Sequence, residues 1–346
     1  MQAKIQIAND PKKATKRLLS VLPERSRTVL TLRFGLGKNT KRATLEAIGQ
    51  EYGITRERVR QIENGALAAI RDSEAFALED AAFKELRGVL LDMGCIVAED
   101  DLLNALSSNQ SVQNHLHFLL VVGGIFEQGK ESDDFTCRWS ADSTVATEVE
   151  AALARLYESI GDTEILSEAA LVDRFLEELR DLNEQYKNEE VLKRWLKLYK
   201  HLGRNPLGEW GRATSPAIRV KGIRDYAYLA MKRHGSPMHF TEVAKAISDL
   251  FGKRAHTATC HNELIKDKRF VLIGRGLYAL TEWGYSRGVV REVIRDILEK
   301  EGPLTREEVI DRVKKERYVK DNTILVNLND RRYFARGSDG SYTPVR

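Results

Sequence analysis

The densest run of side chains suited to chemistry is Arg56, Glu57, Arg58, Arg60 and Gln61, inside GITRERVRQIENGAL (Gly53–Leu67). These types suit recognition, not bond-making. An arginine fork fits the two acceptors on a guanine edge, glutamine fits adenine, and glutamate accepts from cytosine. Arg56 and Arg60 are four residues apart, as are Glu57 and Gln61, so each pair shares a helix face. Val59, Ile62, Ala66 and Ile70 recur at helical spacing and form the inward stripe. The alternative is a surface helix laced with charge. Against it, arginine gains nothing from the dipole at a helix N-terminus. The run therefore reads as a DNA-reading helix.

Other chemistry has little support. The sequence shows no Gly-rich phosphate loop, no GxSxG, no clustered metal ligands and no nuclease-like carboxylate pair with a lysine, so no enzyme is expected. His256, Cys260 and His261 invite a metal reading. Cys260 and Leu264 are spaced as the inward face of a helix, however, and no fourth ligand is placed to join them. No metal and no cofactor are expected. Cys95, Cys137 and Cys260 are far apart and form no CxxC pair, which fits three reduced thiols.

The reading helix needs a scaffold. ATLEAIGQEYGITRERVRQIENGALAAIRD reads as helix, tight turn, helix. Thr44 caps the first helix, with Leu45, Ile48 and Tyr52 on one face. Gly53 stops it in the left-handed conformation, and Thr55 caps the second. A helix-turn-helix sends the first turns of its second helix into the major groove.

ERSRTVLTLRFGL (24–36), TLEAIG (44–49) and ITRERVRQIENGALAAIR (54–71) resemble region 4 of the housekeeping bacterial sigma factors, over about residues 20–72. The resemblance implies that Arg56, Glu57, Arg60 and Gln61 read bases of a minus-35-type promoter element. Thr55 and Arg58 would lean on phosphates. It also implies the RNA polymerase core as a partner, with Val29, Leu30, Leu32 and Phe34 helping to form the face offered to its flap. From the residues alone those four are core. Only about twenty residues precede this block, and the other sigma regions leave no trace after it, so a complete sigma factor is not expected.

Residues 223–284 and 290–346 line up as a repeat: GSPMHFTEVAKAI with GPLTREEVIDRV, and HTATCHNELIKDKRFVLIGRGLYALT with NTILVNLNDRRYFARGSDGSYTPV. Each copy reads as three helices and two short strands around a glycine turn. Thr305 and Glu308 suit a capping box, and VLIGRGLYAL alternates like a hairpin with Gly274–Gly276 at its tip. That order is a winged helix. MHFTEVAKAI (238–247), AHTATCHNELI (255–265) and FVLIGRGLYAL (270–280) resemble the HARE-HTH domain, the winged helix of the RNA polymerase delta subunit. Thr259, Asn262 and Lys266 would point outward from its third helix and Arg275 would sit at the wing tip, toward DNA. A protein-facing wing or a solvated turn is the open alternative.

Residues 84–140 echo the unit, with helices over 84–94, 97–107 and 111–123 and a hairpin over 124–140. Residues 146–216 repeat it more weakly, with helices that include 167–182. The expected fold is mainly α with short β-hairpin wings, a helix-turn-helix head followed by tandem winged-helix domains. Its segments are 1–78, an acidic 79–145, 146–216, 217–286 and 287–346, with GRATSP (211–216) as the best linker.

The net charge of +4 conceals a partition. Residues 1–71 carry 15 Lys/Arg and 6 Asp/Glu, net +9; residues 72–190 carry 8 and 27, net −19; residues 191–346 carry 32 and 18, net +14. Basic ends attract phosphate, while the acidic middle is better placed to meet a protein or stands as a solvated face. No apolar run approaches the ~18 residues of a membrane span, and the N-terminus lacks a signal-peptide core. The expectation is a cytoplasmic, nucleoid-associated transcription factor that binds double-stranded DNA and contacts RNA polymerase. The rival is a DNA-binding defence or genome-architecture protein without that contact.

Overall fold

The computed structural model describes residues 5–179, 186, 188–285 and 288–345. They are mostly helical, with short antiparallel strands. The chain forms two compact units, Met1–Gly203 with Trp210–Ala213, and Arg204–Glu209 with Thr214–Arg346.

The first unit opens with α1 (Pro11–Ser20), α2 (Glu24–Phe34), α3 (Leu45–Tyr52), α4 (Arg56–Arg71), α5 (Glu74–Leu78) and α6 (Asp80–Asp92). Asp10 starts α1 by accepting the Lys12 N–H at 2.9 Å, with Pro11 in the first turn. Strand β1 (Ile96–Ala98), α7 (Glu99–Leu106), α8 (Gln110–Gly123), β2 (Glu127–Gly129) and β3 (Arg138–Ser140) follow, with sheet order β1-β3-β2. Here the structure departs from the expected helix over 97–107. Gly94 and Cys95 both take positive φ and turn the chain, and Ile96–Ala98 pair with Arg138–Ser140, so the helix begins only at Glu99. Then come α9 (Ser143–Ser159), α10 (Glu168–Glu178), α11 (Glu189–Leu196), β4 (Leu202–Arg204) and β5 (Trp210–Arg212). The helix expected over 167–182 ends at Glu178, and residues 180–182 lie outside the described residues.

Two large cores, among the described residues, hold much of this unit. One joins Leu18, Leu30, Phe34 and Ile70 to Phe83, Leu90, Phe118 and Trp139, so it crosses the expected boundary at 78/79 without a break. The other gathers Ile96, Leu153, Phe175 and Trp195. The buried Trp195 indole donates to the Gly94 and Ile96 carbonyls, both at 3.1 Å, so burying its N–H leaves no unpaired donor.

The second unit contains α12 (Ile223–His234), β6 (Met238–His239), α13 (Phe240–Phe251), α14 (Thr257–Lys266), β7 (Phe270–Leu272) and β8 (Leu277–Leu280), with sheet order β6-β8-β7. It continues with α15 (Val290–Glu301), α16 (Arg306–Glu316), α17 (Asp321–Leu328), β9 (Phe334–Arg336) and β10 (Tyr342–Pro344). The element order repeats. Met238 pairs with Tyr278 in the first half, and Leu304 bridges Tyr342 in the second. Glu242 accepts the His239 N–H and Glu308 accepts the Thr305 N–H, at 2.9 and 2.8 Å, so both second helices start on a reciprocal cap. The expected boundary at 286/287 lies outside the described residues.

Candidate nucleic-acid interface

The Thr44 hydroxyl accepts the Ala47 N–H at 3.1 Å and starts α3. Gly53 ends it at φ 63°, returning its N–H to Gly49. Gly49 permits the tight turn. A Cβ there would stand 2.6 Å from the Ile54 carbonyl oxygen. The Thr55 hydroxyl then accepts the Arg58 N–H at 3.1 Å and starts α4. Val29, Ile48 and Val59 lock the three helices together, flanked by Leu32, Leu45, Ile54 and Ile62. Tyr52 does not join them. It is 42% exposed, because α3 ends at that residue and the chain turns away.

Thr55, Arg56, Glu57, Arg58, Arg60 and Gln61 are all exposed at the start of α4. Contacts three residues apart join the expected pairing of Glu57 with Gln61, which also hydrogen-bonds. Arg60 donates two bonds to Glu57, at 2.9 and 2.6 Å, and Arg58 donates to Gln61 at 3.0 Å. The Arg60 guanidinium holds the Glu57 carboxyl below its usual range. A recess of about 560 Å³ lies at the turn, lined by Gln50, Gly53, Thr55, Arg56 and Arg58 among others. Arginines, a capping hydroxyl and the unpaired N–H groups of a helix N-terminus together suit a phosphate flanked by base edges.

The far end of α4 is anchored to α8, which the sequence reading did not anticipate. Arg71 donates to the Val121 and Val122 carbonyls at 2.8 and 3.0 Å. Phe34 meets Phe118 edge-on at 5.3 Å. The fully buried Asn114 donates to the Gly35 and Thr40 carbonyls at 2.9 and 2.7 Å and accepts from Arg42 at 3.1 Å, which clamps the loop before α3. Beside it, Glu99 accepts from the Trp139 indole at 2.9 Å and faces His117 at 3.2 Å and Arg42 at 3.5 Å. Burial pushes the Glu99 carboxyl up, but His117, Trp139 and Arg42 outweigh it and hold it at about 2. Arg71 and Val122 are 51 residues apart and Asn114 and Gly35 are 79 apart, so no local pattern marks these contacts.

Val29, Leu30 and Phe34 take the core positions that the residues themselves suggest. They are 2%, 0% and 5% exposed and Leu32 is half-buried. The cause is α8, whose Phe118 and Leu116 complete a core with Leu30 and Phe34.

In the second unit Thr259, Asn262 and Lys266 are exposed along α14, and Arg275 is exposed between β7 and β8. Cys260 and Leu264 face inward, and burial pushes the Cys260 thiol up to about 11. His261 stacks on Phe240 at 4.4 Å. Among the described residues no three His, Cys, Asp or Glu side chains converge as metal ligands.

A capped helix-turn-helix with exposed arginines at the start of its second helix belongs to the class of DNA-reading modules. The comparison with known families is specific: residues 18–72 match the model for Sigma-70, region 4. Over 56 residues the chain is 55% identical to the RNA polymerase sigma factor RpoS of Coxiella burnetii, covering 16% of each protein. It is 43% identical over 65 residues to RpoD of Helicobacter pylori (strain ATCC 700392 / 26695), covering 19% of this chain and 10% of that one. It is 48% identical over 60 residues to SigA of a Bacillus species, covering 17% and 16%. The chain therefore spans only 10–16% of these relatives' length. The head resembles the DNA-binding part of sigma factors.

Proposed function

We propose that this protein is a DNA-binding transcription factor that reads minus-35-type promoter DNA through α4 and contacts RNA polymerase, without being a complete sigma factor and without enzymatic activity. The exposed Arg56–Gln61 set, at the start of a helix within a Sigma-70 region 4 match, carries the reading. In it Arg56, Glu57, Arg60 and Gln61 take base edges, and Thr55 and Arg58 take phosphate. The repeated order of helices and hairpins after residue 217 supports tandem winged helices, the first of HARE-HTH type. There Thr259, Asn262, Lys266 and Arg275 face DNA. The acidic middle faces a protein partner, and the protein works at the nucleoid.

One observation favours the rival, a DNA-binding defence or genome-architecture protein without polymerase contact: α8 covers Leu30 and Phe34. Capture of RNA polymerase from host lysate by the full chain, at low salt with a crosslinker, separates the two. Capture is expected. Loss of capture with intact DNA binding leaves the rival standing.

A further inference from the structure

Three guanidinium groups converge on one ring in the last segment of the chain. The Arg291, Arg295 and Arg332 guanidinium carbons lie 4.0, 5.9 and 5.6 Å from the Tyr333 ring centroid. Arg291 and Arg295 are four residues apart on α15 and share a face. Tyr333 is fixed from both sides. Its N–H donates to the Asp330 carbonyl at 3.0 Å, its carbonyl accepts from Val345 at 2.8 Å, and its ring packs half-buried on the segment's core. Arg331 and Arg336 line an adjoining cleft of about 510 Å³ with Asn329 and Tyr342.

Like charges gathered this closely repel, and cation–π attraction at a ring still open to water is modest. Among the described residues, the carboxylate hydrogen-bonded within the cluster is Asp330, which accepts Arg332 at 2.9 and 2.7 Å. That fork, with Arg291 nearby, holds its carboxyl at about 2. One acid against three guanidinium groups leaves a cationic excess, in a stretch, 191–346, of net +14.

We propose that Arg291, Arg295 and Arg332, ordered around Tyr333, form a binding site for the phosphodiester backbone of duplex DNA. A single small anion would need an enclosed seat with buried donors. Here Arg291 and Arg295 are half-buried and the Arg332 side chain is 79% exposed, so the cations reach solvent without enclosing a seat, which matches a repeating anion. The planar arginine fork suits phosphate oxygens better than a point charge does. The choice of a duplex rests on the head being DNA-binding, since a chain already held on a duplex meets it again at high effective concentration. Contact with phosphate alone carries no sequence preference.

The test uses the full chain and a random-sequence duplex, with affinity measured across a salt series. Arg291→Gln with Arg295→Gln should lower the slope of log affinity against log salt by about 2, since each lost phosphate contact removes ~0.9. Arg291→Lys with Arg295→Lys should keep most of the slope, and all variants should melt like the parent. A parallel randomised-site selection should show unchanged base preference. An unchanged slope in the Gln variant overturns the site. So does an equal loss in the control Lys300→Gln with Arg306→Gln, or a loss seen on single-stranded RNA and not on duplex. If substitutions in α4 leave base preference untouched while the slope change persists, the head reading fails and this site stands.

Discussion

Arg60 engages Glu57 through Nε and one terminal nitrogen, which leaves the N–H donors of its outer edge for a guanine. The ion pair itself is exposed and therefore weak in water, so it orients the side chain without locking it. Replacing Arg56, Arg60 or Gln61 by alanine should weaken binding to the preferred site roughly tenfold to a hundredfold and blur one base position. Arg58→Ala should weaken all sequences about equally. Randomised-site selection on each variant checks this, and unchanged preference in all three base-reader variants would sink their roles. Glu99 acts on stability instead. Its folded carboxyl titrates at about 2, below the ~4.3 of an unfolded glutamate, so its contribution is full above that value and is lost as pH falls toward 2. Glu99→Gln should remove up to about 3 kcal/mol at neutral pH and flatten the decline of melting temperature between roughly pH 4.5 and 2.

At the scale of the element, the turn between α3 and α4 depends on two glycines for different reasons. At Gly49 a new Cβ would meet backbone, which cannot give way as a flexible side chain does. At Gly53 space is open and only the left-handed backbone is strained. Gly53→Ala should cost about 1 kcal/mol and Gly49→Ala more, roughly 1–3 kcal/mol. Denaturant midpoints rank them, and the reverse order would show that the turn relaxes freely. The clamp from α8 is the second element-scale device. Asn114→Leu leaves the Gly35 and Thr40 carbonyls without their donor, at roughly 1–3 kcal/mol for each buried group. Amide exchange should quicken across residues 35–43, and DNA affinity should fall although no DNA-facing side chain has changed.

At the scale of the whole molecule, the first unit ties the DNA-reading head to the acidic segment through one core. A fragment of residues 1–78 would expose Leu18, Leu30, Phe34 and Ile70, all buried in the intact chain. It should unfold without a sharp transition, while the full chain keeps a cooperative one. Calorimetry decides, and a cooperative 1–78 fragment would show that α8 only decorates a self-sufficient head. Polymerase capture is accordingly better tested with the intact chain. The coupling also gives the −19 stretch a structural task beside any partner it meets, because its α8 supports the module that reads DNA.

Much of the interface was legible in the sequence because its determinants are local. Caps at Thr44 and Thr55, the αL glycine and the 3.6-residue stripe of Val59, Ala66 and Ile70 act within one or two turns, where residue type nearly decides conformation. The hairpin of residues 270–280 and the Thr305–Glu308 cap are local in the same way. What only the tertiary structure decided depends on partners far apart in the chain. Leu30 and Phe34 read as core from their types, but it is the fold that brings α8, some eighty residues on, to cover them. Ile96–Ala98 are strand because β3 supplies a pairing edge, although Val97 and Ala98 stand at the start of the expected helix. Asn114, Glu99 and the arginines around Tyr333 have no periodic signature, because a hydrogen bond or a converging charge leaves no spacing in the sequence. Local stereochemistry wrote the capped helix-turn-helix into the chain, and long-range packing determined which elements cover and clamp it.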